Sequence, residues 1–271
     1  MRGGSRLAPK APRLPEPAID ADISGKDLDR SARAELRTLS PENAEGVAGH
    51  LIMIGRLLDD NPAAALAHAE TAVRRAGRVA VVREARGLVA YHLGDWATAL
   101  SEFRTARRLS GSAHLLPLMV DCERALGRIE RALELAASPE SLTLGTEERV
   151  ELAIVVSGIR REAGHLEAAA AGLELPELAS SARAPWTARL RYAYAEAKLA
   201  LGDRETARAW FSRAADIDET LHTDAVERVE ELDGITYADL ADDDADNVIT
   251  AVPVTDSGDE LDVPARPGPM R

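Results

Sequence analysis

The chain has 271 residues, 45% of them hydrophobic but only 3% aromatic, and a formal net charge of −13. That is enough apolar material for a core built from Ala, Leu and Val, while a charge this negative opposes a phosphate-binding role. Cys122 is the only cysteine, so no intramolecular disulfide forms. No stretch approaches the ~18 apolar residues of a membrane span, and no signal peptide is legible, so a cytoplasmic protein without membrane contact is expected.

Residues 1–25 carry Pro9, Pro12, Pro15 and Pro17 and almost no large apolar side chain, the composition of a disordered, proline-rich arm. Asp27 then reads as the N-cap of a helix with Leu28, Ala32, Leu36 and Leu39 on one stripe. Ser40-Pro41 opens the next helix, with proline at the first position, where its missing N–H costs nothing. Val47, Leu51, Ile54 and Leu58 keep helical spacing until Asp59-Asp60-Asn61-Pro62 breaks it, and a partner helix runs on to Gly77.

A second helical hairpin spans residues 82–111, turning at Gly94-Asp95 and ending at Gly111. The third turns at Gly127-Arg128 and the fourth at Gly164-His165, with Pro139 and Pro176 cutting their second helices short. Pro185 opens a fifth unit that turns at Gly202-Asp203. A last amphipathic helix at residues 224–232 presents Val226, Val229 and Leu232, with Gly234 just beyond it. Residues 238–271 carry nine acids against Arg266 and Arg271, a disordered acidic tail of net charge −7 in which the apolar island 247–254 reads first as a linker and alternatively as a segment that docks as a strand or lies in the protein's own groove.

An alanine follows each turn at a fixed offset: Ala65, Ala99, Ala132, Ala169 and Ala207, at intervals of 34, 33, 37 and 38 residues. A period near 34 is the length of one tetratricopeptide-type helical hairpin. The second unit resembles that repeat through Gly87, Gly94-Asp95-Trp96, Ala99-Leu100, Phe103 and Ala106, and the fifth through Ala195, Gly202-Asp203, Ala207, Phe211 and Ala214. The other three depart from it: Met53 and Val120 replace a small residue, and Pro139 and Pro176 replace the last alanine. The stretches VREARG, RTARRLSG, DCERALGR and PWTARLRYAYAEA also resemble an actinobacterial family of such proteins of unassigned biochemical role. The resemblance implies an all-α, right-handed solenoid of about five hairpins with helical ends over residues 26–237.

It also implies a groove for a protein or peptide partner along the first helices, which projects onto His50, Ile54, Glu84, Leu88, Tyr91, Asp121, Arg124, Arg161, Tyr192 and Glu196. The lysine and asparagine with which chaperone-binding relatives clamp a terminal carboxylate are missing from the matching positions, so a chaperone-tail adaptor is disfavoured. A second reading is an RNA-associated accessory protein with a basic edge of Arg74, Arg75, Arg78, Arg104, Arg107 and Arg108. Against it, cations near helix C-termini suit the macrodipole, and the acidic body repels phosphate. No phosphate-cradling loop, paired-histidine metal motif or cysteine cluster is present, so neither catalysis nor a cofactor or metal is expected.

Overall fold

A computed structural model describes residues 15–181, 183–219 and 223–234, and these form twelve α-helices and no strand. After the short α1 (Arg30–Glu35) the helices pack in consecutive pairs: α2 (Pro41–Leu57) with α3 (Pro62–Ala76), α4 (Ala80–His92) with α5 (Trp96–Ser110), and α6 (Leu116–Ala125) with α7 (Ile129–Ala136). Then come α8 (Thr146–Glu162) with α9 (Leu166–Ala171), α10 (Pro185–Ala200) with α11 (Arg204–Ala215), and finally α12 (Ala225–Leu232) against α11. The first helices of successive pairs also touch directly, α6 on α8 and α8 on α10.

Each of the last four turns is closed the same way. Gly94 has φ +72°, its N–H bonds the Tyr91 carbonyl at 3.0 Å, and the next N–H, of Asp95, bonds the Ala90 carbonyl at 2.9 Å. This Schellman closure needs a left-handed residue, which glycine supplies without a Cβ penalty. Gly202 repeats it at φ +81°, and Asp95 and Asp203 then cap the following helix by accepting from the backbone N–H of Thr98 and Thr206. Gly202→Ala is expected to destabilise the protein by about 1–2 kcal/mol, read as a lowered urea midpoint with an unchanged slope.

Ala65, Ala99, Ala132, Ala169 and Ala207 lie on the second helices and are all 0% exposed. A methyl is what the crossing of two helices leaves room for at this depth. Phe103 and Phe211, also fully buried, fill the wider gaps further along α5 and α11. Pro139 and Pro176 each open a 3-10 turn, leaving α7 with 8 residues and α9 with 6.

Two expectations need correction at the N-terminal end. The first helix is capped by Asp29, whose carboxylate accepts from Ser31 N–H at 2.7 Å, whereas Asp27 closes a preceding 3-10 turn capped by Ser24. Residues 15–25, read from composition as part of a flexible arm, lie against α2. Ile19 sits over Gly49, where a Cβ would meet its Cδ1 at 2.7 Å, and Arg56 holds Asp20 at 2.8 Å and Asp22 at 2.9 Å. The Gly25 N–H adds a bond to Glu45 at 2.9 Å, and Glu16 pairs with Arg75 at 2.5 Å. The acidic residues 238–271 and residues 1–14 fall outside the described residues.

Candidate functional site

The first helices line a cleft made of two adjoining hollows. One, of about 620 Å³, is bounded by α6, α8 and α10 with Asp224 at the start of α12, and it gathers Tyr91, Asp121, Arg124, Arg161, Tyr192 and Glu196. The other, of about 380 Å³, adds Glu84 and Leu88 from α4 and shares Tyr91, Asp121, Val155 and Arg189 with the first. Eight of the ten positions projected from sequence therefore meet along one surface.

The remaining two do not reach it. His50 is 1% and Ile54 3% exposed. Ile54 belongs to the core of the first pair, and His50 turns toward His68 of α3, with the two Nδ1 atoms 2.9 Å apart. Residues 15–25 cover this face of α2, and Glu16 places a carboxylate oxygen 3.9 Å from His50 Nε2. Burial holds His50 down at about 4 and pushes the His68 value down as well, so both rings are neutral near pH 7.

Ion pairs stitch one first helix to the next across the larger hollow. The Tyr91 hydroxyl donates to Asp121, which also accepts from Arg124 Nε at 2.8 Å, and Arg124 reaches on to Glu162 of α8 at 2.7 Å. Arg161 of α8 pairs with Glu196 of α10 at 2.8 Å, and Arg228 of α12 meets the other oxygen of Glu196 at 2.9 Å. Burial, helped by hydrogen bonds to Asp121 and Asp224, raises the Tyr91 and Tyr192 hydroxyl pKa values, so each ring offers a protonated donor. The rings are themselves braced, Tyr91 edge-on to Trp96 with centroids 5.0 Å apart and Tyr192 edge-on to Phe211 at 5.2 Å.

Sequence projection misses Glu151, Val155 and Arg189. Arg189 lies three residues before the projected Tyr192, on the same helix face, so helical spacing alone would have added it, whereas Glu151 and Val155 are not at such spacing from the projected Arg161. Gly158 leaves the wall of the larger hollow open, and a Cβ built there meets nothing within 4 Å.

Of the six arginines of the basic edge, Arg104 and Arg107 line one hollow together with Glu123 and Glu140. Arg75 pairs with Glu16, Arg104 meets the buried Glu123 at 2.6 Å, and Arg107 lies 3.8 Å from Glu140. Arg74 donates to the Thr71 hydroxyl at 2.6 Å, Arg78 lines a hollow beside Glu35, and Arg108 projects from the last turn of α5. Cys122 is buried, and burial pushes its thiol up to about 12, so it packs as a protonated, small side chain. Among the described residues no helix is long and apolar enough to cross a membrane. No family model matches the chain, and no curated protein matches it.

Proposed function

We propose that the protein is a non-catalytic scaffold that holds a protein or peptide partner along the cleft lined by α4, α6, α8 and α10, and that its helix pairs stack as a tetratricopeptide-like solenoid. The observation that carries the reading is convergence: residues from Glu84 to Glu196, on four helices, line one continuous concavity. Their side chains are mixed, with aromatic rings, aliphatic floor and charged rim, the composition of a surface that grips peptide. The solenoid reading rests on the buried repeat alanines, the repeated turn closure and the contacts between successive first helices.

The RNA reading draws less support, because Arg75, Arg104 and Arg107 each have a carboxylate close by. The test is a plug. Gly158→Trp fills the larger hollow without an initial clash and removes a helix-weakening glycine from α8. Tagged wild-type and variant proteins are crosslinked in the native host and purified with and without nuclease. A stoichiometric partner that survives nuclease and is lost from the folded Gly158→Trp variant is the expected result. Identical partners with both proteins overturn the cleft reading, and loss of every partner on nuclease treatment puts RNA in its place.

A further inference from the structure

The two hollows of the cleft differ in how their charges are matched. In the larger one, Arg124 and Arg161 are each held by carboxylates of the same wall. The smaller one has five carboxylates, Glu84, Asp121, Glu147, Glu148 and Glu151, against one guanidinium, Arg189, and one imidazole, His114. Arg189 is taken by Glu151 at 2.5 Å, His114 by Glu84 at 3.1 Å, and Asp121 already accepts from Tyr91 and Arg124. Glu147 and Glu148 make no ion pair among the described residues. Leu88, Pro117, Leu118 and Val155 add apolar surface to the same lining.

Apolar side chains beside an excess of carboxylates are the complement of a long cationic side chain, whose methylenes lie on the apolar lining while its head group reaches a carboxylate. We propose that this smaller hollow receives an arginine or lysine side chain from an extended basic segment of another protein, which makes the cleft selective for cationic peptides. The proposal rests on the cleft being the partner-holding surface. Burial raises the Glu151 carboxyl pKa, with Glu147 adding to the effect against Arg189, so a further cation there relieves a carboxylate that is short of compensation.

The experiment uses the full chain and three fluorescein-labelled dodecapeptides that share one Ala-Leu-Gly backbone and carry three arginines, three glutamines or three glutamates. Fluorescence polarisation should show the arginine peptide binding at least tenfold more tightly than the glutamine peptide, with no saturable binding of the glutamate peptide. The double variant Glu147→Gln/Glu148→Gln should weaken the arginine peptide about tenfold. Glu130→Gln/Glu134→Gln, which removes the same charge from exposed positions on α7, should change its affinity less than twofold. Arginine and glutamine peptides within twofold of each other, or equal weakening by both double variants, would overturn the proposal, the second by showing attraction to overall charge. A native partner lost on Gly158→Trp but indifferent to Glu147→Gln/Glu148→Gln overturns this inference and leaves the scaffold reading standing. Tight arginine-peptide binding through Glu147 and Glu148, with native partners unmoved by Gly158→Trp, does the reverse.

Discussion

Phe103→Ala should lower the stability of the protein by about 3–5 kcal/mol, the cost of emptying a fully buried aromatic site in a core with few other rings. The ring is wedged against Gly87 of α4, where an added Cβ would stand 2.5 Å from its Cε1 atom. Gly87→Ala alone should therefore be destabilising by about 1–3 kcal/mol, since overpacking against a buried ring outweighs the ~1 kcal/mol that alanine gains in a helix interior. In a Phe103→Leu background the Gly87→Ala penalty should shrink by at least ~1 kcal/mol, because the shorter side chain yields the space. Urea denaturation of the four proteins of this cycle gives the coupling directly. Strict additivity would mean that the approach of α4 to α5 is set elsewhere than at this pair.

The second large effect is on pH. His50 and His68 are buried and neutral, and the folded value of His50 lies near 4 against 6.5 for a free imidazole. The unfolded chain therefore takes up a proton on falling through pH 6.5 that the folded chain refuses until about pH 4, so stability is full above pH 6.5 and falls across that interval. The loss from His50 alone is on the order of 3 kcal/mol by pH 4. Protonating both rings would set two cations on Nδ1 atoms 2.9 Å apart, beside Arg74 and Arg75, with Glu16 and Asp20 the opposing charges. Carboxylates held low by partners, such as Glu16 by Arg75, contribute stability that is lost only at lower pH. Replacing the pair with His50→Leu/His68→Leu should flatten the melting temperature between pH 6.5 and 4.5. A wild-type profile that is already flat there would show that the pair accepts protons in the folded state.

The parts of this molecule that sequence makes legible are those fixed by backbone chemistry. Gly94, Gly127, Gly164 and Gly202 mark turns because no other residue takes a left-handed angle so cheaply, and the alanines five residues later mark crossings because nothing larger fits. Eight cleft positions follow from the groove that the resemblance to the repeat implies, projected onto the helices those turns delimit. Ile54 falls outside the cleft because it packs into the core of the first pair, and His50 because it turns to His68 beneath residues 15–25, whose prolines and acids disguise a packed segment. Gly49, inside α2, carries the trace of it, since glycine within a helix often signals a close neighbour, here Ile19. The arginines of the basic edge could not be judged from sequence, because Glu16, Glu123 and Glu140 come to them from other elements.

Gly158 has a wider consequence. Its Cα faces the cleft with open space beyond it, while Phe103, Phe211 and the crossing alanines, all fully buried, secure the fold. Most residues that decide whether the chain folds are thus distinct from those free to decide what it recognises. On the scaffold reading proposed above, side chains along the cleft can be exchanged, and one client traded for another, while the core remains untouched.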